Sequence, residues 1–253
     1  RSPMTAVGVD VKEGDFLFAI DGEDLQPTTD PYRALRGKLS RTLRLLVGPN
    51  ADRTGAHEVL VEGIADEGKL YYLDWVRKNR DRVTAATNGS VGYLHLPDMG
   101  PDGIREFIKQ YYPQRDKAAL VVDDRGNGGG NVSQMVLNRL QRQLLMCTFG
   151  RTTGFTTYPR STFIGHLACL LDETSASDGD IFPAMFRRAH LGPLIGKRSW
   201  GGIIGITNRG PLLDGGVVNV PEFGNTEPGG EWTIEGHGVD PDILVENDPQ
   251  ALI

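Results

Sequence analysis

The run from Leu167 to Pro183 constrains this chain more than any other. An apolar stretch, Leu167 to Leu171, reads as a buried strand. Asp172-Glu173-Thr174-Ser175-Ala176-Ser177 turns a corner of small and polar residues, and helical spacing begins near Asp178. A strand that passes through a tight corner into a helix is an α/β device. It places Ser177 where backbone amides gather at a helix N-terminus. A hydroxyl held there can attack a carbonyl, and the amide of Asp178 is placed to stabilise the oxygen charge that results. The competing reading makes Ser177 and Asp178 a helix cap, a common use of both residue types. Taken alone, the stretch favours the cap.

A second corner has the same form. Val121-Val122-Asp123-Asp124-Arg125-Gly126-Asn127-Gly128-Gly129-Gly130-Asn131-Val132-Ser133 runs from a buried strand through glycines into a helix. Such a turn exposes consecutive N–H groups at a positive helix end. A phosphate-binding loop would use the same geometry. The lysine of a Walker motif is missing, however, and the spacing is wrong for a dinucleotide fingerprint. Two amide-bearing corners, one with a serine, fit an oxyanion hole better. Around them the pattern alternates. Strands are expected at Val91–Leu96, Ala118–Val122, His166–Leu171 and Pro193–Gly196. Helices are expected at Gly103–Tyr112, Val132–Leu145 and Asp178–His190. This is an α/β pattern with a mostly parallel inner sheet.

The residues before this core read differently. Phe16–Ile20 alternates as a strand and ends in an Asp21-Gly22 turn. Pro31–Leu39 reads as a short helix, and Thr42–Val47 and Glu58–Val61 as two further strands. Asp66–Val83 carries a helical pattern that links this segment to the core and ends at Asn88-Gly89. Two domains are therefore expected, 1–63 and 64–253. The block from Glu13-Gly14-Asp15 to Asp21-Gly22 resembles the second half of a PDZ domain. Such domains bind an extended peptide along a sheet edge, through a strand and a carboxylate-binding loop that precede this block. The segment thus reads as a partial PDZ-like β domain whose role here is packing and orientation.

Composition narrows the partners. With 253 residues and 39% hydrophobic content the chain can bury a sizeable core. A net charge of -6 argues against nucleic acid or an anionic membrane as partner. No apolar run approaches the roughly 20 residues needed to span a bilayer, and no signal peptide opens the sequence. Cys147 and Cys169 both stand in apolar surroundings and read as buried free thiols of a cytoplasmic protein.

Asp123-x-Arg125-x-Asn127-x-Gly129-Gly130, together with Ser175-Ala176-Ser177, resembles the tail-specific processing protease superfamily of serine peptidases. Its core is related to the ClpP/crotonase fold. The general branch of that superfamily pairs serine with a lysine in an aromatic-Gly-Lys-Gly block. Here the corresponding block is Ser199-Trp200-Gly201-Gly202, without the lysine, and Lys197 lies before the tryptophan. The tricorn branch is matched instead. The blocks that carry the likeness are Leu96-Pro97-Asp98-Met99-Gly100, Ser177-Asp178-Gly179-Asp180-Ile181-Phe182, Gly196-x-x-x-Trp200-Gly201-Gly202, Val220-Pro221-Glu222-Phe223 and Glu235-x-x-Gly238-Val239-Asp240-Pro241-Asp242-Ile243.

The resemblance implies a serine endopeptidase. Ser177 is its nucleophile, the amides of Asp178 and of Gly129 or Gly130 its oxyanion hole, and Glu235 a member of the catalytic tetrad. By composition alone Glu235 would be a surface carboxylate in a glycine-rich loop. The histidine and partner serine of the tetrad belong, in the family, to a segment upstream of the PDZ domain. Of the five histidines here, His237 next to Glu235 is the one substitute. Thr148 falls where the archaeal enzyme has a pocket aspartate, so a preference for basic residues does not carry over. Ile181 and Ile203 match pocket walls and imply an apolar pocket. The family further implies peptide substrates released by larger proteases, a hexamer, and neither metal nor cofactor. Two rivals stand beside this reading. One is a catalytically silent peptide-binding scaffold of the same fold. The other is a crotonase-type acyl-CoA enzyme, which would have no use for Ser177.

Overall fold

The computed structural model of the chain describes residues 2–28, 30–152 and 154–246. Two compact units emerge, residues 1–75 and 76–253. In the first, strands β1 (Phe16–Ile20), β2 (Glu23–Asp24), β3 (Thr42–Gly48) and β4 (His57–Glu62) form an antiparallel sheet in the order β2-β1-β3-β4. A single-turn helix, α1 (Tyr32–Leu35), sits between β2 and β3 in the chain and is shorter than the Pro31–Leu39 pattern suggested. Leu43, Leu45 and Val47 alternate along β3 onto one face, where they meet Ile20, Val59 and Val61. The period of two seen in the sequence is thus the buried face of a half-wet sheet.

Helix α2 (Gly68–Ala86) carries the boundary between the units within it. Thereafter strands and helices alternate: β5 (Val91–His95), α3 (Pro101–Tyr111), β6 (Ala119–Asp123) and α4 (Ser133–Leu140). After β7 (Met146–Gly150) and β8 (Gly154–Tyr158) come β9 (His166–Leu171), α5 (Asp178–Arg188) and β10 (Leu194–Gly196). The chain closes with β11 (Gly205–Arg209), β12 (Val218–Phe223) and β13 (Ile243–Leu244). The inner sheet runs β13-β10-β9-β6-β5 and every neighbouring pair in it is parallel.

One apolar core serves this unit. Leu94, Leu120, Val122, Cys169, Leu171 and Leu194 from the strands meet Phe107 and Tyr111 of α3, Val136 and Leu140 of α4, and Phe182 and Phe186 of α5. Val136, Leu137 and Leu140 form the buried stripe of α4, which ends at Gln141. The expected extension to Leu145 does not occur. Leu144 and Leu145 are exposed, and the Leu145 amide already donates to the Tyr158 carbonyl at the base of a hairpin.

Two hairpins were not anticipated. β7 pairs with β8, and β11 with β12, and nearly all of their residues are exposed. Cross-strand contacts hold them, such as Phe149 against Phe155 at 5.5 Å, rather than burial. Cys147 lies on β7 and is exposed, so its expected burial is corrected; Cys169 is buried in the core. Burial pushes the Cys169 thiol up, away from thiolate.

The core and hairpin aromatics should separate cleanly in denaturation. Phe186→Ala should lower the unfolding free energy by about 3–5 kcal/mol, because it empties a fully buried site. Phe149→Ala removes one exposed cross-strand contact and should cost under about 1 kcal/mol. Urea titration followed by far-UV circular dichroism measures both.

Candidate active site

β6 and β9 pair in parallel from Ala119↔His166 to Asp123↔Leu170, so both strands run out at the same edge. The two glycine- and serine-bearing corners therefore leave the sheet side by side. Their backbones are joined directly: the Ala176 amide donates to the Asn127 carbonyl at 2.8 Å, and the Asp124 amide to the Leu170 carbonyl at 2.9 Å. Buried Ser175 adds a third tie, its hydroxyl donating to the Asp124 carbonyl at 2.8 Å.

Ser177 stands at the N-cap position of α5, but it does not cap. Its side chain makes no capping hydrogen bond, and its backbone is at φ 58° and ψ -120°. Few residues with a side chain occupy that region, and holding one there costs about 1–3 kcal/mol. The surrounding structure imposes it. Ser175 is buried behind the serine, Asp178, Gly179, Asp180 and Phe182 are buried ahead of it, and Ser177 itself remains half-exposed. The elbow thus turns a free hydroxyl outward at the start of a helix, where the macrodipole favours negative charge.

The facing turn closes on that hydroxyl. Gly129 has φ 97°, and a Cβ added there would lie 2.5 Å from the Ser177 Cβ and 3.0 Å from the Asp178 nitrogen. At Gly130 a Cβ would lie 2.0 Å from the Met99 carbonyl oxygen. No side chain fits at either position. The Met99 amide donates to the Gly129 carbonyl at 2.9 Å, and the Asn131 and Val132 amides donate back to the Met99 carbonyl at 2.7 and 3.0 Å. Asn127 Oδ1 accepts the Gly129 amide at 3.0 Å. Among the described residues the amides of Gly130 and Asp178 have no hydrogen-bond acceptor, so both N–H groups are open to a ligand oxygen.

Besides Asp178, three carboxylates lie buried beneath the corners. Asp123 holds Arg125 through both its oxygens, at 2.9 Å to Nε and 2.6 Å to the terminal nitrogen, and accepts the Tyr93 hydroxyl at 2.6 Å. Asp124 accepts the Asn127 side-chain amide at 2.8 Å, while its Oδ2 is buried without a partner among the described residues. Burial pushes the Asp124 carboxyl well up, the Asn127 hydrogen bond opposing, with Asp123, Asp178 and Asp180 adding repulsion. Asp180 accepts the Gly201 amide at 2.8 Å, and burial raises its carboxyl as well.

Glu235 is half-buried, not a free surface carboxylate. Its Oε2 accepts the amides of Ile203 and Ile204 at 2.6 and 3.0 Å. Ile203 is buried, Ile181 is half-buried on the first turn of α5, and Thr148 lies exposed on β7. Among the described residues no histidine bonds Ser177. The His237 ring meets Asp240 at 2.9 Å, which Arg198 also engages. Buried His95 contacts the Arg125 carbonyl at 2.8 Å, and burial lowers its affinity for a proton. His166 starts β9, at the opposite end of the strand from the elbow, and His190 follows the end of α5. His57 lies in the first unit, bonded to the Asp10 carbonyl at 2.7 Å. Lys197 is paired with Glu173 at 2.9 Å.

The profile of peptidase family S41 matches residues 90–245, and that of the tricorn protease PDZ domain matches residues 1–66. Tricorn protease of Thermoplasma volcanium is 38% identical over 252 residues, covering 99% of this chain and 24% of the relative. Tricorn protease homolog 1 of Streptomyces coelicolor is 37% identical, covering 99% of this chain and 23% of its own length. A crystal structure of the tricorn protease superposes with a TM-score of 0.90 at 33% identity, covering 96% of this chain and 24% of that one. The chain thus spans about a quarter of the length of the relatives it matches.

The raised Asp124 carboxyl yields a signed pH dependence. Its folded-state affinity for a proton exceeds that of the unfolded chain, so its contribution is present below about pH 4, the usual carboxylate value, and is lost as pH rises through the folded value. Asp124→Asn keeps the acceptor for Asn127 and cannot ionise. The unfolding free energy of the variant relative to the parent should therefore climb as pH rises above about 4. Urea titrations across pH 4–8 measure this; a difference that stays flat or shrinks would show Asp124 to be ionised in the fold.

Proposed function

The chain belongs to peptidase family S41, in its tricorn branch, and from that membership we propose that it carries the nucleophile and oxyanion hole of a serine endopeptidase. The observation that carries the reading is Ser177: a strained, uncapped serine at a helix N-terminus, facing two amides without acceptors. Its Oγ attacks the scissile carbonyl carbon while a base takes its proton. The carbonyl oxygen becomes an anion between the amides of Gly130 and Asp178, in a setting where one such donor is worth about 10²–10³-fold in rate. The C–N bond then breaks, the amine leaves with the proton, and water hydrolyses the acyl-enzyme at Ser177. Of the two glycines weighed for the hole, Gly130 suits it better, because Asn127 occupies the Gly129 amide.

The base in this proposal is a histidine upstream of residue 1, since the five histidines within the chain have other surroundings. Glu235, anchored on the 203–204 amides, has its second oxygen left to orient that histidine or the substrate. Ile181 is the better candidate for an apolar pocket wall, because Ile203 is closed off in the core. Thr148 is assigned to the pocket by resemblance. Peptides from larger proteases, a hexameric assembly and a cytoplasmic setting belong to the same proposal. No helix among the described residues is long and apolar enough to cross a membrane.

A fluorophosphonate probe tests this. Labelling is compared for this chain, its Ser177→Ala variant, and the chain extended upstream with its natural sequence. The extended chain should label and cleave peptides at a rate at least about 10³-fold above Ser177→Ala. Labelling of the short chain at the full rate would place the base inside it. Absence of labelling and cleavage in every form would leave a peptide-binding scaffold.

A further inference from the structure

We propose that the Asp178 carboxylate and Ser133 form a clamp that fixes the distance between the two oxyanion donors, which makes Ser133 a positioning residue for the reaction. This rests on the peptidase reading above. Asp178 has two jobs in different parts of one residue. Its amide faces the site, while its carboxylate turns inward to the first residue of α4 and accepts both the Ser133 amide, at 3.0 Å, and the Ser133 hydroxyl. The two residues are 7% and 1% exposed, so water cannot substitute for a lost partner.

The other ties leave one freedom that this clamp removes. Gly129 is fixed against the elbow by the Ala176–Asn127 bond and by its contact with Ser177. Met99 holds the turn from the other side. Gly130 lies between these anchors and the start of α4, and its amide direction follows where α4 sits relative to α5. Across 45 residues of sequence, the Asp178–Ser133 pair is the side-chain bond that joins the two helix starts. The clamp also keeps an anion off the site. A carboxylate released beside its own amide would repel the negative oxygen which that amide is there to hold.

The test uses the upstream-extended chain and the fluorogenic peptide it hydrolyses fastest from a panel varied at the residue before the scissile bond. Ser133→Ala should lower kcat by about 10- to 100-fold, the scale of a small misplacement of reacting groups, with KM within about twofold. Ser133→Thr, which keeps the hydroxyl, should recover most of that loss. The double variant Ser133→Ala/Asp178→Ala should be no slower than Asp178→Ala alone, since one interaction cannot be lost twice. Should Ser133→Ala fail to fold, Asp178→Asn keeps the shape and should show the same kcat-only loss in weaker form. A loss carried by KM, additive effects in the double variant, or failure of Ser133→Thr to recover activity would overturn the clamp. A parent chain without Ser177-dependent hydrolysis would instead overturn the peptidase reading and the clamp with it. An active parent with an unimpaired Ser133→Ala variant overturns the clamp alone.

Discussion

The parallel ladder between β6 and β9 is the constraint on which the rest depends. Because Asp123 pairs with Leu170, the strands end level, and whatever follows them must turn in adjoining space. One strand is followed by glycines and the other by Ser175-Ala176-Ser177, and the crossing bonds between these segments are short and mostly main-chain. The site is therefore built by the sheet. A one-residue slip of register would part the Gly130 and Asp178 amides and reverse the inward face of the slipped strand. The core guards against that slip, since Leu120, Val122, Cys169 and Leu171 are all fully or almost fully buried on the existing register.

Strain concentrates where this arrangement is tightest. Ser177 adopts a backbone conformation that few residues with a side chain tolerate, and Gly129 and Gly130 stand where no side chain fits. Ser177 thus departs from local preference, while at Gly129 and Gly130 glycine is the residue that the backbone requires. Beneath them Asp124 and Asp180 each keep one buried oxygen without a partner among the described residues. The stability that supports these departures comes from the aromatic core, in which Tyr111 of α3 and Phe182 and Phe186 of α5 are fully buried.

How much of this was legible before the structure varied by element and for physical reasons. Strands β1 and β9 matched residue for residue, because an alternating or wholly buried apolar run bounded by polar corners has few other uses. The linking helix, expected over Asp66–Val83, runs Gly68–Ala86, and its far end was hard to mark because Val76 is the one residue of it that is buried among the described residues. The two hairpins were invisible, since an exposed ladder leaves no inside and outside to alternate. At the site, Ser177 and the glycine turn were marked by their strand–corner–helix form. The choice of Gly130 over Gly129 was not, because it hangs on the Asn127 side chain. Nor was the pairing of Asp178 with Ser133, which lie far apart in sequence and look, one at a time, like ordinary helix-start residues.

The two donors facing Ser177 are both main-chain N–H groups. Peptide amides neither gain nor lose a proton over any pH at which the fold survives, and no substitution other than proline can delete them as chemical groups. In the proposed peptidase, the oxygen-binding half of the site is thereby separated from the proton-handling half. On that proposal, sequence drift at the surface can retune which peptides are accepted, and an associated segment can set the working pH, while the anion cradle remains the same object. A fold that keeps its most demanding electrostatics in the backbone can be paired with different proton acceptors without being rebuilt.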